Sequence, residues 1–340
     1  MGVDLGDLVE SRDIELSDLN DRKLAVDAMN TIYQFLSIIR QRDGTPLKDS
    51  EGNVTSHLSG LFYRNIGLIE NGIEPVYVFD GAQPDLKEKE SSKRRKKREE
   101  AREEWKRLKE EGKISEAYSK ATQSSRLTGD MIAESKKLLE AMGISTVQAP
   151  SEGEAQAAEM ASREDFYAVG SQDWDCLLFG AERMVKNLTQ RNTRKTSGGG
   201  RKEISTEVIE MESVLEDLGI SREKLVWMGI LIGTDFNPKG VHGIGPKTGL
   251  KLVKKYESFE ALLDDEKVEW ESDNDPEEIR SFLMDPPVKD VENLEEDLDR
   301  EKVESILVDD HGFSEDRVTS GLDDLEDALE SRQSALRSFM

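Results

Sequence analysis

Apolar residues along this chain keep two rhythms. Four short runs rich in β-branched or apolar residues, Lys23–Val26, Pro75–Phe79, Ile144–Val147 and Phe166–Gly170, read as strands. Between them the spacing lengthens to that of helices. One is predicted from about Thr31 to Arg40. Another spans Ser56 to Asn71, with Leu58, Leu61, Phe62, Ile66 and Ile69 on one face and Gly72 as its C-terminal cap. Strands alternating with helices predict an α/β fold: a central, mainly parallel sheet flanked by helices. After Asp80 the pattern breaks. Residues 87–113 are charged around Lys93–Arg98, with little apolar beyond Trp105 and Leu108, so they form an exposed helix or order only when bound. Amphipathic order returns over Gly129–Met142. Thr189–Lys202, with Gly198–Gly200 and several bases, reads as a mobile hairpin tip. Helices are predicted over Thr206–Leu218 and Arg222–Ile232, and Gly243-Ile-Gly245-Pro-Lys-Thr-Gly249 opens another that reaches about Tyr256. No internal repeat is visible.

Composition narrows the class. The 340 residues, 36% apolar, allow one large α/β unit or two modest ones. No run approaches the ~20 apolar residues of a membrane span, and no signal peptide opens the chain. A single cysteine, Cys176, excludes an internal disulfide framework and suits a reducing cytoplasm. The net charge of −25 is unevenly spread: residues 257–331 hold 29 acids against 6 bases, whereas residues 1–256 hold 43 against 39. The acidity is therefore local, and the rest can hold a phosphate backbone. Salt adaptation and an ordinary solvated acidic face both account for it.

The acids also fall at particular places. Asp27 closes the first apolar run and Asp80 the second, while Glu152 and Glu154 follow the third at a helix start. Asp173 and Asp175 come shortly after Gly170, and Asp235 follows Ile230–Thr234. Ligands of open parallel sheets gather at the carboxyl ends of the strands, which would bring six carboxylates to one edge, with Asp235 as a seventh. So many negative charges raise one another's pKa until cations relieve them. Hard Mg²⁺ prefers oxygen ligands, and two ions roughly 4 Å apart can hold the attacking and leaving oxygens of a phosphoryl displacement. None of His57, His242 and His311 neighbours the acids, and metal-activated water needs no histidine base. Taken singly, such an acid is usually a turn or cap residue.

Five segments resemble the flap endonucleases, structure-specific 5′ nucleases of archaeal and eukaryotic replication and repair. They are Met1-Gly-Val-Asp-Leu, Asp27-Ala-Met-Asn-Thr-Ile-Tyr33-Gln-Phe, Pro75-Val-Tyr-Val-Phe-Asp80-Gly, Ala149-Pro-Ser-Glu152-Gly-Glu154-Ala-Gln-Ala, and Gly233-Thr-Asp235 leading into Gly243-Ile-Gly245-Pro-Lys-Thr. The match spans nearly the whole chain and is loose over 257–331. The resemblance implies a nuclease core over 1–256, with a helical arch at 84–130 and a helix–two-turn–helix at 223–256. An acidic helical part packed on the core (257–331) and a tail (332–340) would follow. Asp80, Glu152 and Glu154 would serve one Mg²⁺ ion, Asp173 and Asp175 the other, and Asp27 and Asp235 would act through water; Mn²⁺ can substitute. Lys87 and Arg94 would be the catalytic cations at the foot of the arch. Tyr33 would stack a base, with Gly2 and Arg40 also at the DNA. Gly243, Gly245 and Lys247 would grip a duplex arm, with a K⁺ ion at the turn.

The tail, Gln333, Leu336, Phe339 and Met340, resembles the peptide that docks into the sliding clamp (proliferating cell nuclear antigen), its anchors sharing one face of a short helical turn. Met340 stands where a second aromatic is usual. The implied protein is a monomeric 5′-flap endonuclease with 5′–3′ exonuclease capacity, cytoplasmic and, in an archaeon, nucleoid-associated. Rival readings are a related gap- or junction-resolving nuclease and a non-catalytic branched-DNA binder.

Overall fold

A computed structural model describes residues 3–41, 43–87, 127–190, 201–292, 294 and 296–339, with short pieces at 100, 103–105, 107–108, 111 and 193–195. Most of the expected arch, including Lys93–Arg98, and the residues Gly2, Arg94 and Met340 lie outside this description. Five strands pair in parallel: β2 (Lys23–Asp27), β3 (Glu74–Phe79), β4 (Thr146–Gln148), β5 (Ala168–Gly170) and β6 (Arg183–Lys186). Two more, β1 (Arg12–Ile14) and β9 (Thr206–Glu210), add antiparallel at one edge. The full order is β1-β9-β6-β5-β2-β3-β4, a mixed sheet with a parallel centre.

Alternation along each strand explains why the central runs look uniformly apolar. Leu24, Val26, Tyr77, Phe79, Ala168, Val185 and Val208 face one core, shared with the helices Ala28–Ile38, Ser56–Glu70 and Gly129–Ala141. Ala25, Val76, Val78, Val147, Val169, Met184 and Ile209 face the other, shared with Gly153–Ala161 and Arg222–Ile232. With both faces buried, neither parity can be polar.

The predicted helix Thr206–Leu218 is corrected: Thr206–Glu210 is β9, and the helix covers only Met211–Leu218. Val208 pairs with Val185 and Ile209 with Met184. A five-residue β-branched window satisfies either period, and pairing with β6 decides it. The first helix also starts earlier than its apolar spacing suggested, at Ala28, directly out of β2. The Thr189–Lys202 loop contains the antiparallel pair β7 (Thr193–Lys195) and β8 (Arg201–Glu203).

The acidic C-terminal part is woven into both cores. Phe259, Leu262, Ile279 and Leu283 join one, while Val303, Leu307, Val318, Leu322 and Leu325 join the other. Its last helix, Glu315–Phe339, continues through the tail, so the backbone there belongs to a longer helix than the single turn expected from the anchor spacing. Among the described residues, no helix is long and apolar enough to cross a membrane.

Candidate active site

Strand ends, helix starts and two loops, one before Asp175 and one after the helix Arg222–Ile232, bring the seven acids together at the carboxyl edge of the parallel strands. Asp27 ends β2 and is also the N-cap of the next helix. Its Oδ1 accepts from the Asn30 amide at 3.0 Å, and its Oδ2 accepts from the Ser171 hydroxyl at 3.2 Å. One oxygen thus caps the helix while the other is held by Ser171. Asp80 follows β3 directly, and its Oδ1 accepts from the Gly153 amide at 2.8 Å. Glu152 is the N-cap of the helix Gly153–Ala161 and Glu154 lies in its first turn, where unpaired amides favour negative charge. Ser171 Oγ accepts from the Asp173 amide at 3.1 Å, and Asp175 opens a four-residue helix. The Val3 amide donates to Asp175 Oδ1 at 2.7 Å across 172 residues of chain, which sets the chain start against the site.

The acids feel one another strongly. Burial first, then repulsion from Asp80 and Asp173, pushes Asp27 up to about 7, against the pull of the Asn30 and Ser171 hydrogen bonds. Asp175 is pushed up to about 8 by burial and by Asp173 and Asp235. Glu154 is raised well above the ordinary carboxylate range by burial and by Asp173, Asp27 and Asp175. Asp80 and Glu152 are raised mainly by burial, partly offset by Lys87. Asp80 keeps an open solvent-facing side, yet nearby protein still costs its charged form water.

Lys87 offsets part of this charge. The Lys87 ammonium lies 2.5 Å from Glu152 Oε2 and 3.2 Å from Asp235 Oδ2, and these acids hold its pKa above the usual lysine value despite burial. Among the described residues, no three His, Cys, Asp or Glu side chains form a ready-made cage around one point. What the structure holds is a ring of hard oxygen donors, several raised in pKa, with a lysine bridging two of them. Those carboxylates suit divalent cations that retain water ligands.

The expected DNA contacts are placed as follows. Tyr33, on the helix capped by Asp27, is 37% exposed, an accessible ring close in sequence to the site. The Arg40 guanidinium holds two backbone carbonyls, Leu36 O at 2.9 Å and Gly44 O at 2.7 Å, so it also has a structural task at the end of that helix. Helices Arg222–Ile232 and Pro246–Lys255 flank the Gly243–Gly245 turn, as expected. Gly243 has φ +78°, and nothing lies within 4 Å of a Cβ built at either glycine, so both backbones are open to a close-approaching group. Lys247 is exposed in the first turn of the second helix. Earlier in the same interhelical segment, the Thr234–Asn237 turn is braced from within: Asn237 Oδ1 accepts from the Thr234 amide and hydroxyl, and its Nδ2 donates to Ile230 O at 2.7 Å. The side chains of Gln333, Leu336 and Phe339 are not described.

Sequence reasoning missed Ser171 and the amides of Val3 and Gly153. Ser171 carried a faint signal, one polar residue between Gly170 and the Asp pair. The amides carried none, because their partners are far away in sequence.

Two family models match: the XPG N-terminal domain over residues 2–101 and the XPG I-region over residues 143–235. Flap endonuclease 1 of Pyrococcus furiosus is 51% identical over 342 residues, covering 100% of this chain and 99% of that protein. The structure of flap endonuclease-1 from Methanococcus jannaschii matches with a TM-score of 0.77 at 40% identity, covering 97% of this chain and 100% of that one. The catalytic core of Rad2 in complex with DNA substrate matches with a TM-score of 0.66 at 25% identity, covering 93% and 96%. Identity at this level along the full length settles the affiliation: the chain belongs to the flap endonuclease family.

Proposed function

We propose that the seven carboxylates hold two divalent cations, Mg²⁺ in the first instance with Mn²⁺ able to substitute, at which 5′ flaps of branched DNA are hydrolysed. As a flap endonuclease, the protein is a structure-specific 5′ nuclease. One observation carries the metal reading: seven acids that repel one another share one sheet edge, and the Lys87 ammonium between Glu152 and Asp235 offsets part of that charge. Asp80, Glu152 and Glu154 would hold one ion and Asp173 and Asp175 the other, with Asp27 and Asp235 acting through water. Bound divalent ions supply a nucleophile near neutral pH and offset charge on the phosphoryl oxygens.

The protein's own groups do the rest. Val3, Asn30, Gly153 and Ser171 fix their carboxylates before substrate arrives, so little reorganisation is left for the reaction. Lys87 balances Glu152 and Asp235, and turns its ammonium to the scissile phosphate when that anion enters. Arg94, from the arch, adds a second positive charge there. Tyr33 stacks a base beside the cleaved bond. The open Gly243–Gly245 turn and Lys247 take the phosphates of one duplex arm, with K⁺ at the turn. Residues 333–340 dock into a sliding clamp through Gln333, Leu336, Phe339 and Met340.

Cleavage of a labelled 5′-flap DNA across a Mg²⁺ titration tests this reading. Activity should be absent in EDTA and rise with the cation, and Asp173→Ala should bind the flap but not cut it. Cutting at wild-type rate by Asp173→Ala would overturn the metal assignment.

A further inference from the structure

Asn274 sits in the acidic C-terminal part, just before the helix Pro276–Met284 and far in sequence from every residue assigned above. Its side-chain Nδ2 donates to the carbonyl of Leu86 at 2.7 Å and to the carbonyl of Phe236 at 2.7 Å. Each carbonyl belongs to the immediate neighbour of a site residue: Leu86 precedes Lys87, and Phe236 follows Asp235. The Lys87 ammonium and the Asp235 carboxylate meet at 3.2 Å, and the same ammonium lies 5.4 Å from the centre of the Phe236 ring.

A carbonyl only accepts, so the amide orientation of Asn274 follows from its two partners. Both hydrogens of one planar nitrogen are engaged, which fixes the separation and direction of the two backbones. The staple is itself held: Trp270 Nε1 donates to Asn274 O at 2.9 Å, and the Asn274 amide donates to Ser272 Oγ at 3.3 Å.

We infer that Asn274 is a positioning residue for flap cutting: it ties the root of the arch to the loop bearing Asp235, and so sets where the Lys87 ammonium stands among the carboxylates. The inference rests on Lys87 and Asp235 being working parts of the site. It also gives the acidic part a task at the reaction centre. Asp at this position would keep the size, lose both donors and turn lone pairs toward two carbonyls.

The test measures single-turnover cleavage of a 5′-flap DNA at saturating Mg²⁺ for Asn274→Asp, Asn274→Ala, Lys87→Ala and the double variant Asn274→Ala/Lys87→Ala. Flap affinity in EDTA and the thermal midpoint are measured beside it. Both Asn274 variants should slow cutting by about 10- to 100-fold, the scale of a small misplacement of a reacting group, with flap affinity kept and the midpoint lowered by only a few degrees. In the Lys87→Ala background the same change should add little, because its effect runs through Lys87. Trp270→Phe, which keeps a packed ring but drops the N–H, should slow cutting in the same direction. The inference is overturned if Lys87→Ala is slow while the Asn274 variants cut at wild-type rate, or if the two losses multiply in full. Should Lys87→Ala itself cut normally, the role given to Lys87 falls first, which separates the two failures.

Discussion

Asp175→Asn should make the cation-free protein more stable while destroying its activity. Asp175 is 1% exposed, and its carboxyl is raised from 3.8 to about 8 by burial and by Asp173 and Asp235. A carboxyl raised in the fold destabilises it increasingly as pH climbs: nothing is lost below the unfolded value of 3.8, and the penalty grows until pH passes the folded value near 8. At about 1.4 kcal/mol per pH unit, the burden at pH 7 is on the order of 4 kcal/mol. The repulsion is shared with neighbouring acids, so this is a ceiling. Asparagine keeps an oxygen for the Val3 amide, bonded now at 2.7 Å, and carries no charge. At roughly 2 °C per kcal/mol for a long chain, the midpoint in EDTA should rise by up to about 8 °C at pH 7. The assay is thermal unfolding of wild type and Asp175→Asn in EDTA from pH 5 to 9. The advantage should widen up to pH 8 and then level off, and adding Mg²⁺ should narrow it by stabilising the wild type. No stabilisation, or an advantage that shrinks as pH rises, would refute the reasoning.

Three further outcomes are expected. Gly81→Ala would place a Cβ 2.1 Å from Ala149 O and 2.5 Å from Pro150 O, both backbone atoms, so chemical denaturation should show a loss of about 2 kcal/mol or more. Because Gly81 adjoins Asp80, cutting should fall with it; a fully active, fully stable variant would contradict the packing. Ser171→Ala removes the hydroxyl that donates to Asp27 and accepts from the Asp173 amide, so single-turnover cutting should slow by about tenfold or more with flap affinity kept. An unchanged rate would show that Ser171 does not set these acids. Deleting residues 333–340 should leave intrinsic cutting intact and abolish stimulation by a sliding clamp, and persistent stimulation would discard the tail assignment.

Much of the site was legible because it follows strand ends. Lys23–Val26 and Pro75–Phe79 are buried on both faces, so their apolar runs are unbroken and the acids that end them stand out. Two other strands gave no such signal: β1, at one edge, is three residues, Arg-Asp-Ile, and β6, between β9 and β5, has two apolar residues between two bases. β9 was taken for helix because its pairing partner, which decides the matter, is not local. The acids were visible singly, yet what orients them was hidden. The Val3 amide, the Gly153 amide and Asn274 act across 172, 73 and up to 188 residues, where no periodicity reports a contact. The charge division along the chain suggested that the acidic part lies apart from the chemistry. Phe259, Leu262 and Ile279 in a core beneath the sheet, and Asn274 beside Leu86 and Phe236, place it close to that chemistry instead.

If these seven acids form a two-ion site, anomalous diffraction from crystals equilibrated with Mn²⁺ should show two peaks roughly 4 Å apart. One should lie beside Asp80, Glu152 and Glu154, and the other beside Asp173 and Asp175. Lys87 should move away from Glu152 and Asp235 as they fill. Manganese bound only elsewhere, or a lysine still seated between Glu152 and Asp235 with no ion beside the acids at saturating Mn²⁺, would contradict the two-ion assignment.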